Sequence, residues 1–229
     1  MLSAVILSAG ESRRMGRPKA LLEYRGKFFI EAVRSALAVA GVDSVIAVLG
    51  RHSEEIRKAW KPEGVVFTVN ARPEEGQLSS FRIGLEAAPK NAEAFMVCLV
   101  DQPAIAPWTY KDIIAFWSAH KDCIVIPCCR RPAAQSPVAN HQSQDTSRQS
   151  QVIIDSILTP LPSALSFKRG HPVIIPAIYR RLCFEGPLEA GLHWVTHHPS
   201  VKVADLEVED AGIIFDIDTP EDYRKHKAD

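Results

Sequence analysis

The segment VILSAGESRRMGRPK, residues 5–19, joins an apolar run to a basic, glycine-containing loop. The run predicts a buried strand. The loop carries four cations, and backbone N–H groups with countercharges of this kind can hold a polyphosphate. A basic, solvated turn is the alternative interpretation, but the position of the loop directly after a buried strand favours phosphate binding.

Two kinds of apolar segment alternate along the following residues. Runs rich in β-branched residues predict strands at 4–7, 44–49, 65–69 and 94–100. Helical periodicity predicts helices at 29–40, 53–60 and 78–88. The alternation predicts an α/β protein: a three-layer αβα sandwich with a mostly parallel, Rossmann-like central sheet. We expect residues 1–229 to form a single domain.

Local signals predict several helix ends and the position of a ligand. Gly41 follows a helical segment as a stop, Ser53 precedes two glutamates as an N-cap, and Thr219 precedes a proline and two acids as an N-cap. Open α/β sheets bind ligands beyond the carboxyl ends of their strands. We therefore expect three loops to share one rim, namely those after Leu7, Val69 and Val100.

One segment, 130–168, interrupts the α/β alternation. Its residues 140–151 are nearly all polar, and such a composition cannot bury enough apolar surface to offset the entropy of ordering. We therefore expect a long flexible insertion. Within it, residues 152–158 are apolar enough for a short helix, and His141 is interpreted as a solvated loop histidine.

Charge and cysteine content exclude several classes of protein. The 27 basic residues balance the 27 acidic ones, so no global field attracts nucleic acid or a membrane surface, and we expect neither as a partner. Five cysteines without a CxxC pair fit a reduced compartment. No segment approaches the ~20 apolar residues that span a bilayer. We expect a cytoplasmic protein.

Acidic residues follow two of the apolar runs. Asp101 ends the run 95–100, which would place its carboxylate at the rim of the sheet. Mg²⁺ bound through one or two carboxylates and substrate phosphates fits that position, and a turn-capping aspartate is the alternative. Asp216 and Asp218 follow the run 211–215 and share one side of the chain if both are extended. Either of them could reach the same ion.

A further group of polar residues lies near the third predicted helix. Leu78, Phe81 and Leu85 share one stripe, which predicts core, while Ser79 and Arg82 lie near the N-terminal end. Hydroxyl, guanidinium and free N–H groups there can bind an anion, and a capped amphipathic helix with a surface arginine is the alternative.

Four motifs occur in a characteristic order. They are SAG at 8–10 with Lys19, GQLSSFR at 76–82, VDQP at 100–103, and GHP at 170–172 followed by DIDTPED at 216–222. Together they resemble the molybdenum cofactor nucleotidyltransferase family, within the nucleotidyltransferases built on a Rossmann-like sheet. The resemblance covers almost the whole chain apart from 130–168.

The resemblance implies a role for most of these residues. Those implied in nucleotide binding are Leu7, Ser8, Ala9, Gly10, Ser12, Arg14, Lys19, Asn70 and Ser79. Those implied in acceptor binding are Gly76, Ser80, Arg82, Gln102, Gly170, His171 and Pro172. The catalytic candidates are Lys19, Arg14 and Asp101. Mg²⁺ is the implied cofactor, held by Asp101 with Asp216 or Asp218. Asn70 would supply an amide to the base, and a turn residue is the alternative.

The reaction implied by the resemblance is attack by the terminal phosphate of molybdopterin on the α-phosphorus of a nucleoside triphosphate, with loss of pyrophosphate. A phosphate monoester has a second pKa of about 6 and needs no general base, so His171 is expected to hydrogen-bond the acceptor. Members of the family that transfer GMP have two consecutive glycines in the first loop. This chain has Ala9-Gly10, so CTP is expected rather than GTP.

Several alternatives stay open at this point. The acceptor is molybdopterin or the molybdenum cofactor, or else another phosphorylated small molecule such as a sugar or polyol phosphate, and GTP remains an alternative donor. A non-catalytic accessory protein that binds cofactor is a third alternative, although all three acidic residues are present. A recipient molybdenum enzyme or its chaperone is a candidate partner.

Overall fold

The structure is a computed structural model that describes residues 1–10, 12–42, 44–130, 152–153 and 167–227. The strands are β1 (Leu2–Ser8), β2 (Glu23–Tyr24), β3 (Lys27–Phe28), β4 (Ser44–Leu49), β5 (Val65–Val69), β6 (Ala94–Leu99), β7 (Cys123–Arg130), β8 (Val152–Ile153), β9 (Phe167–Arg169), β10 (Val173–Pro176) and β11 (Lys202–Glu207). The α-helices are α1 (Phe29–Val39), α2 (Ser53–Ala59), α3 (Gln77–Ala87), α4 (Pro107–Ala119), α5 (Arg180–Glu185), α6 (Gly191–Thr196) and α7 (Pro220–Lys227). Every strand and helix predicted before residue 101 is present, with ends shifted by at most two residues.

Nine of the described strands form one sheet in the order β5-β4-β1-β6-β10-β7-β11-β8, with β9 paired to β7. The neighbours β5, β4, β1 and β6 are parallel, and so are β7 and β11. Three strands, β10, β8 and β9, run antiparallel to their neighbours. The prediction of a mostly parallel, Rossmann-like sheet is confirmed.

Alternate residues of β1 face opposite helical layers. Ala4 and Ile6 belong to one buried cluster with α1 and α4, whereas Val5 and Leu7 belong to another with α3, α5 and α6. Burial of each Val, Leu or Ile contributes roughly 1.5–3 kcal/mol, so both faces of the sheet hold helices tightly. The predicted three-layer αβα sandwich is confirmed.

Helix α3 lies close to β1 because one of its faces is apolar and one of its positions lacks a side chain. Leu78, Phe81 and Leu85 are fully buried, as predicted. At Gly84 a Cβ would lie 2.3 Å from Cγ1 of Val5. This close packing places the N-terminal end of α3 beside the carboxyl end of β1.

Two of the three predicted helix ends are confirmed. Gly41 follows α1 with a φ of 80°, a conformation that glycine adopts without strain. The Thr219 hydroxyl accepts the N–H of Asp222 at 3.1 Å, and Asp222 Oδ2 accepts the N–H of Thr219 at 3.0 Å, so the two residues cap α7. The N-cap prediction for Ser53 is wrong, because Ser53 is the first helical residue and His52 precedes it without a side-chain cap.

The segment predicted to be an insertion begins and ends in the sheet. Arg130 pairs with Phe167, and Cys129 pairs with Lys168, in the antiparallel β7–β9 ladder. Val152–Ile153, predicted to begin a helix, is instead a strand that pairs with β11. The remaining positions, 131–151 and 154–166 with His141 among them, lie outside the described residues.

The apolar run before Asp216 is not extended. Ala211–Ile214 forms a 3-10 helix, because the Asp210 side chain accepts the N–H of Gly212 at 2.8 Å and caps its start. The same carboxylate accepts the hydroxyl of Thr109 at 2.6 Å, which ties this segment to α4. Among the residues described, no helix is long and apolar enough to cross a membrane.

Candidate active site

A cleft of about 620 Å³ opens beyond the carboxyl ends of β1, β4 and β6, a volume typical of small-molecule sites. The chain runs from β1 out to β4 and β5, then returns to β6 on the other side of β1. The cleft therefore lies at a topological switch point, where open α/β sheets bind ligands. The loops after Leu7, Val69 and Val100 share its rim, as predicted.

The residues predicted for the site divide into two groups. Those that line the cleft are Leu7, Ser8, Ala9, Gly10, Ser12, Arg14, Lys19, Gly76, Ser80, Asp101 and Asp218. Those that lie outside it are Asn70, Ser79, Arg82, Gln102, Gly170, His171, Pro172 and Asp216.

The loop after β1 is shaped by a turn at Ser12. Ser12 has a φ of 52° and Gly16 a φ of 68°, both in the left-handed region. The carbonyl of Ser12 accepts the N–H of Met15 at 2.9 Å, and its hydroxyl accepts the N–H of Lys19 at 3.0 Å. Ser12 therefore closes the loop on itself and directs Lys19 toward the end of β6.

Lys19 lies between two carboxylates at the floor of the cleft. Its Nζ atom donates to Oδ2 of Asp101 at 2.8 Å and also to Oδ1 of Asp218. The other oxygen of Asp218 is 3.3 Å from Nη2 of Arg14, whose side chain is largely exposed. Two cations from the loop after β1 and two carboxylates from distant parts of the chain thus meet at one point.

These contacts raise the pKa of Lys19 and lower the pKa of Asp218. Burial opposes the charge of Lys19, but Asp101 and Asp218 outweigh it and raise its pKa above 10.5. The hydrogen bond from Lys19, helped by Arg14, holds the pKa of Asp218 below its usual value. At neutral pH Lys19 and Asp218 are therefore both charged, which suits a site for phosphates.

The donor set fits a divalent cation. Asp101 and Asp218 already face one cationic atom from two sides, and carboxylate oxygens are the ligands that Mg²⁺ prefers. The described residues contain no group of three or more His, Cys, Asp or Glu side chains that could hold a metal. Protein sites for Mg²⁺ commonly use one or two carboxylates together with substrate phosphate oxygens. Asp216, the other predicted metal ligand, lies outside the cleft, and its Oδ1 accepts from Nε2 of Gln102 at 2.8 Å.

Asn70 and Ser79, predicted as nucleotide contacts, belong to a local hydrogen-bond network. Asn70 is buried, and its Nδ2 donates to the hydroxyls of Ser79 and Ser80, each at 2.9 Å. Its Oδ1 accepts the N–H of Arg72 at 2.9 Å, and the Ser79 hydroxyl donates to the carbonyl of Gly76 at 2.8 Å. These bonds fit the alternative interpretation of Asn70 as a turn residue, and they fix the start of α3.

Arg82, predicted to contact the acceptor, bonds two backbone carbonyls outside the cleft. Its Nε donates to the carbonyl oxygen of Cys183 at 2.6 Å, and its Nη2 donates to the carbonyl oxygen of Gly186. The guanidinium therefore satisfies carbonyls at the end of α5, a helix too distant in sequence for the local pattern to reveal.

The predicted acceptor turn packs beside the segment that leads to Asp218. The N–H of His171 donates to the carbonyl oxygen of Ile213 at 3.0 Å, and a Cβ at Gly170 would lie 2.0 Å from that oxygen. Burial, only partly offset by Asp101, lowers the pKa of His171 to about 4. The imidazole is therefore neutral at neutral pH and able to hydrogen-bond.

Sequence reasoning missed the loop after β4. Gly50, Arg51 and His52 line the cleft, and a Cβ at Gly50 would lie 2.3 Å from the carbonyl oxygen of Ala9. The sequence did contain a signal, because Gly50 directly follows the apolar run 44–49, and a glycine at the end of a strand can mark a close approach of the backbone to a ligand or another segment. Gln77 at the start of α3 was missed as well.

Residues 4–197 match the family model of the MobA-like NTP transferase domain. The chain belongs to this family. It is therefore a member of a nucleotidyltransferase family, and the resemblance inferred from its four motifs is confirmed at that level.

Two curated proteins illustrate the range of relatives. The nicotine blue oxidoreductase of Paenarthrobacter nicotinovorans is 29% identical over 177 residues, which cover 77% of this chain and 71% of that protein. A probable molybdenum cofactor guanylyltransferase of Opitutus terrae is 36% identical over 113 residues, 49% of this chain and 54% of that protein. The chain also matches bifunctional GlmU proteins, but only over about a quarter of their length or less.

Among solved structures, Rv0371c from Mycobacterium tuberculosis H37Rv superposes with a TM-score of 0.74. The match is 24% identical and covers 100% of this chain and 97% of that one. The same protein is also known as a complex with manganese. At this identity the likeness establishes the fold.

Proposed function

We propose that this protein transfers CMP from CTP to the terminal phosphate of molybdopterin and releases pyrophosphate. The observation that carries the proposal is the meeting of Lys19, Asp101 and Asp218 at the switch point of the sheet. A triphosphate in that cleft would find the basic loop 8–19 on one side and paired carboxylates on the other. Such a transfer forms no covalent intermediate on the protein, so it requires no Ser/His/Asp or Cys/His nucleophile.

The chemistry follows from these charges. An oxygen of the acceptor phosphate attacks the α-phosphorus, the bond from the α-phosphorus to the bridging oxygen breaks, and pyrophosphate leaves with that electron pair. Lys19 and Arg14 neutralise phosphate charge as it moves to the leaving group, and the cleft holds the reacting groups in line. Mg²⁺, when bound by Asp101 and Asp218, would supply further neutralisation.

Two features support the choice of substrates. The GHP turn and the relative named as a probable molybdenum cofactor guanylyltransferase support molybdopterin as acceptor. The first loop of members that transfer GMP has two consecutive glycines. This chain has Ala9-Gly10 there, which supports CTP. A molybdenum enzyme or its chaperone is the proposed recipient of the product, and the cytoplasm is the proposed location, since the five cysteines are free.

The test is dinucleotide formation from molybdopterin, Mg²⁺ and either CTP or GTP, with the Asp101→Ala protein as blank. We expect a molybdopterin dinucleotide and equimolar pyrophosphate with CTP alone. Product with GTP alone would keep nucleotidyl transfer and overturn the base assignment. Pyrophosphate release only with a sugar or polyol phosphate would replace the acceptor.

The same assay separates this proposal from a redox activity. Because one relative is named an oxidoreductase, oxidation of a reduced nicotinamide cofactor is followed in parallel. Redox turnover without pyrophosphate release from any acceptor would overturn the proposed function.

A further inference from the structure

Gln102 connects the rim of the cleft to the segment that carries Asp218. It follows Asp101 directly and is 2% exposed. Its Nε2 donates to Oδ1 of Asp216 at 2.8 Å and to the carbonyl oxygen of Ile213 at 3.1 Å. Both partners are acceptors, so the orientation of the amide is determined by the network.

The other end of the same amide has no partner. Oε1 of Gln102 is buried and makes no hydrogen bond to any described residue. An unpaired buried acceptor costs about 1–3 kcal/mol. The unpaired Oε1 therefore makes glutamine unfavourable for stability at this position. What the amide provides is its Nε2 group, which donates two hydrogen bonds.

The segment 213–218 is held to the same region by its backbone. The N–H of Ile217 donates to the carbonyl oxygen of Asp101 at 2.9 Å, and the carbonyl oxygen of Ile213 also accepts the N–H of His171. Ile213 is thus shared between Gln102 and the turn at 170–172. Between these anchors, the Gln102 side chain donates to the side chain of Asp216, two residues before Asp218.

We propose that Gln102 is a positioning residue that acts through Asp216 and Ile213 to hold Asp218 opposite Asp101, and that Asp216 is its anchor instead of a metal ligand. The proposal rests on the proposed function in one respect, that Asp101 and Asp218 bind a divalent cation with the nucleotide. In this arrangement Asp216 needs an oxygen that accepts a hydrogen bond, but not a charge.

The difference between an acceptor and a charge makes the proposal testable at Asp216. Asp216→Ala removes the acceptor, whereas Asp216→Asn keeps an oxygen for Gln102 and removes the charge. Asp216 is exposed, but Asp216→Ala removes an acceptor of the buried Gln102 amide, so thermal unfolding checks the fold of both variants. Gln102→Leu tests the other partner of the same bond, with thermal unfolding as a check on its fold.

The readout is Mn²⁺ binding, followed by the electron paramagnetic resonance signal of free Mn²⁺. The protein is saturated with the α,β-methylene analogue of CTP or GTP, whichever binds, and no acceptor is added. We expect Asp216→Ala and Gln102→Leu to weaken Mn²⁺ binding roughly tenfold and Asp216→Asn to change it by less than about twofold. In turnover, the metal concentration for half-maximal rate should rise in the same order, with a smaller change in kcat.

Three outcomes would overturn the proposal: equal weakening by Asp216→Asn and Asp216→Ala, unchanged binding in Asp216→Ala, or no Mn²⁺ binding by the unsubstituted protein. Because binding is measured without acceptor, its result is independent of the transfer reaction. The expected order of affinities in a protein that makes no dinucleotide would support the inference and overturn the proposed function. Dinucleotide formation, with the same Mn²⁺ affinity in the unsubstituted protein and all three variants, would support the proposed function and overturn the inference.

Discussion

The Nζ atom of Lys19 lies 2.8 Å from Oδ2 of Asp101, although 82 positions separate the two residues in the chain. They meet because β1 and β6 are neighbouring parallel strands, so the loops after them leave the sheet at the same edge. The Lys19 side chain is only 14% exposed. A cation held this firmly beside two carboxylates gives the cleft a fixed charge pattern before any ligand arrives.

Loss of the Asp101 charge should stop turnover without unfolding the protein. Asp101→Asn keeps the size of the side chain but leaves Lys19 with one carboxylate and removes an expected metal ligand, so we expect kcat/KM to fall roughly 10²–10³-fold. Pyrophosphate release under steady state measures the effect. Glu209→Gln, an exposed carboxylate outside the cleft, is the matched control and should retain the full rate. An active Asp101→Asn protein would contradict the assignment.

A side chain at Gly50 should displace the phosphate loop. Its Cβ would lie 2.3 Å from the carbonyl oxygen of Ala9, so the loop must move by about 1 Å, a shift that can cost up to ~100-fold in rate. We expect Gly50→Ala to weaken nucleotide binding, measured by calorimetry, and to lower the free energy of unfolding by about 1–3 kcal/mol. At Gly10 a Cβ meets nothing within 4 Å, so Gly10→Ala should unfold like the unsubstituted protein. Equal stability and affinity in both variants would refute the clash.

Arg82 should matter for stability and not for the acceptor. Arg82→Met leaves the carbonyls of Cys183 and Gly186 without their donor, so we expect the free energy of unfolding in urea to fall by about 2 kcal/mol. The acceptor KM should be unchanged. Arg181→Met is the control, since that side chain is exposed and forms a surface ion pair with Glu185. A raised acceptor KM at unchanged stability would restore the role first predicted from the sequence.

His171 should make the protein less stable in mild acid. Burial lowers its pKa from 6.5 to about 4, so between these pH values the unfolded chain binds a proton that the folded protein does not. Stability is therefore fully present above pH 6.5 and falls as the pH drops toward 4, by up to roughly 3 kcal/mol.

Urea unfolding at pH 7.5 and 4.5 measures this loss. The unsubstituted protein should lose more stability between the two pH values than His171→Gln does. His193→Gln, at an exposed histidine, should behave like the unsubstituted protein. The same loss in all three proteins would show that His171 is not the responsible group.

Local features of the site were predictable. The cap between Thr219 and Asp222 spans three residues, the loop from Ser12 to Lys19 spans seven, and both are formed by hydrogen bonds within those spans. The stripe on α3 follows from helical spacing alone. In each case the partners are close in the chain, so the pattern contains the interaction.

The hydrogen-bond partners that the sequence did not reveal belong to polar groups such as Arg82, Asn70 and Asp216. Arg82 bonds residues more than a hundred positions away, and a surface arginine and a bridging one have the same local sequence. The side-chain amide of Asn70 bonds the backbone of its own turn and two hydroxyls of α3. The sequence left open whether Asp216 or Asp218 would face the cleft. In the structure Gln102 bonds Asp216, and Asp218 lines the cleft.

The amino-acid sequence by itself determined the alternation of strands and helices, the parallel sheet, the basic loop after β1 and the family, because hydrophobic periodicity, glycine and capping residues act within a few positions. Only the tertiary structure decided which polar groups face the cleft. Lys19, Asp101 and Asp218 converge, while Asn70, Arg82 and Asp216 bond elsewhere. Most buried polar groups form a hydrogen bond, and which partner each one finds depends on strand order and packing, which no local pattern specifies.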